Sequence, residues 1–209
     1  MTRAVFLDAL GTLLELQPPW TLLRSRVPSK ISDQRLVAAV RAEMEYYREH
    51  AHEGRDPVSL ADLRRRCAEF LSEQLGVAIS AGELMRAVRM GAYPEAEPTL
   101  RSLSESGLRL VVVSNWDCSL REVLERCGLA HLLDGAVSSA EAGARKPDPA
   151  IFAPALELAG CAPAEVLHVG DTPEEDLVAA RAAGIRALLI DRLGGDGDIS
   201  SLAQIEEHL

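Results

Sequence analysis

The fold is decided by residues Arg3–Leu13, which read RAVFLDALGTL. Ala4–Leu7 is a short apolar run without a charge, as in a strand that is buried on both faces of a sheet. A carboxylate, Asp8, comes directly after it, and Gly11 then allows the backbone to turn sharply and approach a bound group. Because the chemistry of open α/β sheets lies beyond the carboxyl ends of the strands, Asp8 is placed to be a nucleophile or a metal ligand. On this stretch alone, Asp8 is equally compatible with the start of a plain turn.

The rest of the chain alternates between strands and helices, apart from one long helical interruption. Four further strands are predicted, at residues 108–113, 135–138, 165–169 and 187–190. Residues 18–93 contain no convincing strand and have the apolar spacing of a helical bundle. We therefore predict an α/β fold: a doubly wound, Rossmann-like parallel sheet formed by residues 1–17 and 94–209, with a helical-bundle cap inserted at residues 18–93.

Composition restricts the partners of the protein. The 209 residues include 32 acidic and 22 basic side chains, so the formal net charge is −10. Such a surface repels nucleic acid and anionic lipid, and we expect neither as a partner. No apolar run approaches the ~20 residues of a membrane span. The N-terminus enters a strand at once, so we expect no signal peptide and a cytoplasmic location. The four cysteines form no CxxC pair and are expected to be free. Nothing in the sequence specifies an oligomeric state.

Polar side chains follow four of the predicted strands. Besides Asp8, Ser114 follows the second strand, Lys146 lies in the loop after the third, and Asp171 follows the fourth, with Asp176 five residues later. The carboxyl ends of parallel strands meet at one edge of a sheet, so we expect these side chains to converge there. A nucleophilic carboxylate, a hydroxyl donor, a cation and two further carboxylates are what phosphoryl transfer with a hard divalent cation requires.

The segments that carry these residues resemble the four ordered motifs of the haloacid dehalogenase (HAD) superfamily. They read DALGTL at 8–13, VSN at 113–115, KPDP at 146–149 and GDTPEED at 170–176. Their order and spacing match along essentially the whole predicted core. The helical insertion between the first two motifs resembles the α-helical cap of that superfamily.

The resemblance implies catalytic roles for four residues. Asp8 would be the covalent nucleophile, and Ser114 would hydrogen-bond a substrate oxygen. Lys146 would offset the charge of the nucleophile and the substrate. Asp176 would position Lys146 or bind the metal through water.

The resemblance also implies a Mg²⁺ cofactor and a phosphorylated small-molecule substrate. The metal ligands would be Asp8, Asp171 and the backbone carbonyl of Leu10. The implied substrate site consists of Gly11, Thr12, Ser114, Asn115 and Lys146.

Leu10 departs from the pattern of the superfamily. Its phosphatases carry a second Asp at this position, which protonates the leaving group and then activates water. Leucine cannot transfer a proton, and the loss of a positioned general acid–base group costs ~10²–10⁴ in rate. The pocket is therefore expected to bind Mg²⁺ and phosphate without the usual acid–base group.

Four functions are compatible with this pattern. The first is a Mg²⁺-dependent phosphohydrolase that acts through an aspartyl-phosphate on Asp8, slowly or only on good leaving groups. The second is C–halogen hydrolysis, because the dehalogenase branch also lacks Asp at the position of Leu10 but works without a metal. The third is phosphonate cleavage, for which Lys30 is the only lysine of the cap. The fourth is a non-catalytic protein that binds a phosphorylated ligand.

The cap is expected to set the specificity. Its longest predicted helix ends in a cluster of aromatic and basic residues, namely Tyr46, Tyr47, Arg48, His50, His52 and Arg55. Arg48 or Arg55 is a candidate to meet a substrate anion, and a histidine is a candidate to replace the missing acid. The alternative is a solvated helix end.

Overall fold

The computed structural model describes residues 1–209 and contains seven strands and nine α-helices. The strands are β1 (Ala4–Leu7), β2 (Leu14–Gln17), β3 (Arg89–Ala92), β4 (Arg109–Ser114), β5 (Gly135–Ser138), β6 (Val166–Gly170) and β7 (Arg186–Leu189). The helices are α1 (Pro19–Leu23), α2 (Asp33–His50), α3 (Pro57–Leu75), α4 (Ala81–Ala87), α5 (Ala96–Glu105), α6 (Leu120–Arg126), α7 (Ser139–Ala142), α8 (Phe152–Ala159) and α9 (Val178–Ala182). A 3₁₀ segment at Leu202–His208 ends the chain.

Strand β1 lies at the centre of a five-stranded sheet. The strand order is β5-β4-β1-β6-β7, and all neighbouring strands run parallel. No residue of β1 has exposed surface, as the apolar run predicts. Val5 and Leu7 pack with buried residues of α5 and α6, whereas Ala4 and Phe6 pack with those of α8 and α9. Helices therefore cover both faces, and the predicted doubly wound α/β sheet is confirmed.

A two-stranded antiparallel ribbon, β2 with β3, links the sheet to the helical segment. The prediction that residues 18–93 contain no strand is wrong, because β3 lies within them. The helix predicted from Ser80 to about Gly91 ends at Ala87. Each strand of the ribbon has four mostly part-exposed residues, so no hydrophobic periodicity marks it in the sequence.

The helical segment between the two ribbon strands has its own core. A cluster of 14 buried residues, all between Leu23 and Ala87, joins its helices. Ser32 caps α2, since its side chain accepts a hydrogen bond from the backbone of Arg35. Asp56 caps α3 in a capping box with Ser59, one turn earlier than the sequence pattern predicts. The predicted helical bundle is present with these shifted boundaries.

The segment after β6 forms a π-helical turn at Pro173–Leu177. The sequence predicts a capping box at Thr172–Glu175, and this prediction is wrong, because the Thr172 side chain makes no cap. Instead, the Asp176 carboxylate accepts a hydrogen bond from the backbone N–H of Thr172 at 3.1 Å. A Cβ at Gly170 would overlap the Asp176 carboxyl group, so glycine is needed where the turn folds back on the strand.

Two expectations from composition can be compared with the structure. All four cysteines are free thiols, as expected. None of the helices combines the length and the apolar character that crossing a membrane would need.

Phe152 tests the packing between α8 and the sheet. Its ring is fully buried and lies 6.3 Å from the ring of Phe6 and 5.0 Å from that of His168. Phe152→Ala should lower the free energy of unfolding by about 3–5 kcal/mol, because it leaves a cavity in the core. Leu158→Ala removes a 52% exposed side chain of the same helix and should change the free energy of unfolding by about 0.5 kcal/mol or less. Urea titrations of both variants measure the difference, and equal losses would contradict this packing.

Candidate active site

Acidic residues from two strand ends meet at the carboxyl edge of the sheet. Asp8 follows β1, and Asp171 follows β6 with Asp176 in the turn beyond it. Their carboxylate oxygens lie within 4.8 Å of one another. The structure therefore brings together three carboxylates that the sequence places at opposite ends of the chain.

Lys146 is a buried cation between two of these carboxylates. Its Nζ donates hydrogen bonds to Asp8 Oδ1 and Asp176 Oδ1, at 2.5 Å each, and to the backbone oxygen of Val113 at 3.1 Å. Its side chain is 1% exposed. Burial opposes the charge, but Asp8 and Asp176 outweigh it and hold the pKa of Lys146 above its ordinary value. The lysine is therefore charged while it contacts Asp8.

Asn115 holds the backbone of Lys146 in place. The Asn115 side chain accepts a hydrogen bond from the Lys146 N–H at 2.8 Å and donates one to the Lys146 carbonyl at 3.0 Å. It also donates to Glu175 Oε2 at 2.9 Å. Asn115 therefore connects the end of β4 with the lysine loop and with the turn after β6.

Asp176 is fully engaged by its protein neighbours. Its Oδ1 accepts from Lys146 and from His168 Nε2, the latter at 2.9 Å, and its Oδ2 accepts from the Thr172 backbone. Burial opposes the shift, but Lys146 and His168 hold the pKa of Asp176 below its ordinary range. Burial lowers the pKa of His168, so this ring is neutral and its Nε2 carries the donated proton. Sequence reasoning assigned His168 to the core and missed this contact.

Asp8 and Asp171 are left with an excess of negative charge around them. Burial raises the pKa of Asp8 to about 7; Lys146 opposes this shift, and Asp176 and Asp171 add to it. Burial, with Asp176, also raises the pKa of Asp171. Three carboxylates face one lysine, and the only side-chain hydrogen bond of Asp171 comes from Thr172 at 3.3 Å. A divalent cation beside these oxygens would favour the ionised form of both acids.

Gly11 allows the first loop to approach Asp171. Its φ is +89°, and a Cβ at this position would overlap the Asp171 carboxylate. Only glycine avoids both the backbone strain and the overlap. The next residue, Thr12, is fully buried, and its hydroxyl has no hydrogen-bond partner.

A cavity of about 570 Å³ lies between this edge of the sheet and the helical segment. The lining residues on the sheet side include Asp8, Leu10, Ser114, Asn115 and Asp171. Gly11, Thr12 and Lys146, which the sequence also predicts at the substrate site, do not line it. The lining residues from the helical segment include Glu43, Met44, Tyr47, Arg48, Arg64 and Cys67.

The basic cluster predicted at the end of α2 is only partly directed at the cavity. Tyr47 and Arg48 line it, whereas His50, His52 and Arg55 do not. The lining of the cavity therefore does not support the prediction that one of these histidines replaces the missing acid.

Comparison with known proteins decides the family. The model of the haloacid dehalogenase-like hydrolase family matches residues 2–184. This chain is a HAD-like hydrolase. The membership predicted from the four motifs is thereby confirmed.

Two curated relatives of this HAD-like hydrolase carry different names. It is 42% identical over 130 residues to a phosphoserine phosphatase of Thermus thermophilus, an alignment that covers 59% of this chain and 52% of that protein. It is 39% identical over 117 residues to haloacid dehalogenase-like hydrolase domain-containing protein 3 of Danio rerio, covering 56% of this chain and 48% of that protein. The chain thus spans about half the length of the curated relatives that it matches.

Solved structures show the same fold over the whole chain. The L-2-haloacid dehalogenase of Xanthobacter autotrophicus superimposes with a TM-score of 0.73 at 21% identity, covering 99% of this chain and 98% of that one. At this identity the likeness concerns the fold alone.

Two hydrogen bonds connect the helical segment of this HAD-like hydrolase with the loop after β4. Tyr47 Oη donates to Asp117 Oδ2 at 2.8 Å, and the backbone N–H of Cys118 donates to the Gly54 carbonyl at 2.8 Å. The sequence pattern indicates that Asp117 caps α6, but Ser119 occupies that position and Asp117 Oδ1 accepts from its N–H. The contact with Tyr47 has no signal in the sequence, since the two residues are far apart in the chain.

Asp176→Asn tests how strongly the site depends on this carboxylate. The variant should lose about 1.5–3 kcal/mol of unfolding free energy at neutral pH, since charge-assisted hydrogen bonds are weakened. The pKa of Asp176 is lowered in the folded state. Its contribution is therefore present above the unfolded Asp value of about 4 and is lost as the pH falls below it. Urea titrations from neutral to acidic pH should show the deficit shrinking, and Glu174→Gln, at an exposed neighbour, is the control.

Proposed function

We propose that this HAD-like hydrolase is a Mg²⁺-dependent phosphohydrolase that acts through an aspartyl-phosphate on Asp8. The supporting observation is the meeting of Asp8, Asp171 and Asp176, with their oxygens within 4.8 Å, beside the buried cation of Lys146. A nucleophile, a fixed positive charge and spare carboxylate oxygens are the parts that phosphoryl transfer needs.

The acidic cluster fits a magnesium ion. Carboxylate oxygens are the ligands that Mg²⁺ prefers, and the excess of negative charge at Asp8 and Asp171 favours a divalent cation. We assign the ion to Asp8, Asp171 and the backbone carbonyl of Leu10. Asp176 is engaged by Lys146 and His168 and serves as a positioning residue for the lysine. Bound Mg²⁺ would supply charge neutralisation on the phosphoryl oxygens.

The remaining residues would hold the phosphoryl group against the nucleophile. Asp8 Oδ attacks phosphorus, and the Lys146 ammonium, already in contact with Asp8, compensates charge on the transferring group. Ser114 lines the cavity at the end of β4 and would donate its hydroxyl to a phosphoryl oxygen. Asn115 keeps Lys146 in position through its backbone.

We also propose that residues 18–93 act as the cap and that residues 1–17 with 94–209 form the catalytic core. The helical segment has its own hydrophobic cluster, and the cavity lies between it and the sheet. The lining of the cavity includes Arg48 and Arg64, and neither of them forms an ion pair. These free cations stand out in a protein with a net charge of −10. These cations suit an anionic, phosphorylated small molecule.

C–halogen hydrolysis is the second candidate. Its support is Leu10, an apolar side chain that lines the cavity near Asp8 where a phosphatase of this family would carry its acid. Halide release from 2-haloacids that persists in EDTA would favour this candidate. Binding of Mg²⁺ and phosphate without any turnover would favour a non-catalytic binding protein instead.

The nucleophile is tested with acetyl phosphate, an acyl phosphate whose leaving group needs little protonation. The wild-type protein should release phosphate from acetyl phosphate in Mg²⁺ and not in EDTA. Asp8→Asn should abolish this release, because an amide cannot form the aspartyl-phosphate. Asp134→Asn, a change at a surface ion pair away from the cavity, is the control. Equal release by the wild type with and without the metal would contradict the proposal.

Leu10→Asp tests whether only the proton donor is missing from the first motif. If no other residue supplies the proton, restoring a carboxyl at this position should raise the rate with phenyl phosphate at least about tenfold, within the range known for general acids. Leu10→Asn matches the size of the new side chain without its acidity, and it should give no such gain. An unchanged rate for Leu10→Asp would contradict the view that the site lacks a proton donor, and it would indicate that another residue of the cavity donates the proton.

A further inference from the structure

We propose that Glu43 of α2 is the proton donor of this enzyme and delivers, from the helical side of the cavity, the proton that Leu10 cannot supply. The inference rests on the phosphohydrolase function proposed above. It assigns the leaving-group chemistry to a residue outside the four motifs.

The direction of the reaction points to the helical wall. In phosphoryl transfer the attacking and leaving oxygens lie roughly in line with phosphorus. Asp8 attacks from the edge of the sheet, so the leaving oxygen faces away from the sheet, towards the part of the cavity that the helical segment lines. Glu43 lines this cavity and is only 5% exposed to solvent.

The other acids of the cavity are already engaged. Glu43 is the only carboxyl group that the helical segment contributes to the lining. On the sheet side, Asp117 accepts hydrogen bonds from Tyr47 and from the Ser119 N–H. The remaining carboxylates of the lining are Asp8, Asp171 and Asp176, whose roles are described above.

Glu43 has the surroundings of a carboxyl that keeps its proton. No cation pairs with it, and its titratable neighbour is the Cys67 thiol of α3, whose hydrogen bond opposes the effect of burial on the pKa of Glu43. Burial raises the pKa of Glu43 to about 7. A general acid works best when its pKa lies near the working pH, because it then holds a proton and still releases it readily. A buried carboxyl without a cation lowers the stability of the folded protein. A purely structural role gives no reason to keep such a group at this position.

Several other charged or titratable groups on the surrounding elements also face this cavity. They are Tyr47 and Arg48 on α2, Arg64 and Cys67 on α3, Arg89 on β3, Asp117 after β4, Arg126 on α6, Cys127 directly after α6, and Asp8, Asp171 and Asp176 at the edge of the sheet. Burial raises the pKa of the Tyr47 hydroxyl, and burial with Glu43 raises that of the Cys67 thiol. Both therefore stay protonated at neutral pH, which leaves Glu43 as the group in this wall that titrates there.

The proton balance follows in two steps. As the Asp8–phosphorus bond forms and the bond from phosphorus to the leaving oxygen breaks, Glu43 gives its proton to that oxygen, which departs as an alcohol. Water then takes the place of the alcohol on the same side. The Glu43 carboxylate accepts a proton from this water while the water attacks phosphorus. The Asp8–phosphorus bond then breaks, which frees Asp8 as a carboxylate and releases inorganic phosphate.

The test compares two leaving groups in Glu43→Gln. The amide keeps the size of the side chain but cannot donate a carboxyl proton. The ratio of kcat/KM for phenyl phosphate to kcat/KM for acetyl phosphate should fall by about 10²–10⁴, because only the phenolate needs protonation. Glu45→Gln, at an exposed glutamate of the same helix, should keep the wild-type ratio.

A pH profile separates proton donation from mere positioning. For the wild type, kcat/KM with phenyl phosphate should fall as the pH rises through about 7, since Glu43 then loses its proton. The decrease of kcat/KM at high pH should be absent in Glu43→Gln. Glu43→Asp should still show such a decrease, at a lower kcat/KM. Adding Leu10→Asp to Glu43→Gln should restore the ratio of the two kcat/KM values, because the acid is then supplied from the sheet side.

The results that overturn this inference differ from those that overturn the proposed function. An unchanged kcat/KM ratio in Glu43→Gln, with or without a general loss of rate, would show that Glu43 does not donate the proton, while the aspartyl-phosphate chemistry would stand. Absence of phosphate release from acetyl phosphate by the wild type would remove both. Thermal unfolding of each variant confirms that the comparison is made on folded protein.

Discussion

The ion pairs of Lys146 with Asp8 and Asp176 are the constraint on which the candidate site depends. A lysine that is 1% exposed is stable only if its charge is paired and its donors are satisfied. Those partners come from the end of β1, the end of β4 and the turn after β6. The parallel sheet must therefore hold these segments in register, and the proposed nucleophile, Asp8, is positioned by the same contacts that make the buried charge tolerable.

The candidate site carries an excess of negative charge that a further cation would offset. One lysine stands against three carboxylates, and burial raises the pKa of Asp8 to about 7. In the proposed reaction the ionised form of Asp8 is the nucleophile, so a bound cation would also activate it. Asp176, in contrast, is held ionised by Lys146 and His168 and has no need of the metal.

The helical segment completes the cavity from the other side. The Tyr47–Asp117 hydrogen bond and the Gly54–Cys118 backbone bond hold it close to the loop after β4. In the proposed function the sheet side offers charge to a phosphoryl group, and Leu10 offers no acid–base group there. A cavity lined from two separate cores allows an acid to come from the opposite wall, where Glu43 forms no ion pair.

The central sheet and the convergence of the motif residues followed from the sequence alone, because their causes are local. Apolar runs such as Ala4–Leu7 read as buried strands, and parallel strands bring their carboxyl ends to one edge. Tertiary structure alone decided the β2–β3 ribbon, the π-helical turn at Pro173–Leu177 and the contacts of His168 and Tyr47. It also decided that Glu43 lines the cavity, whereas His50 and His52 do not. The ribbon and the Tyr47 contact join residues distant in the chain, and the turn and the His168 contact are formed around Asp176, which also pairs with the distant Lys146. No periodicity or spacing in the sequence reveals such contacts.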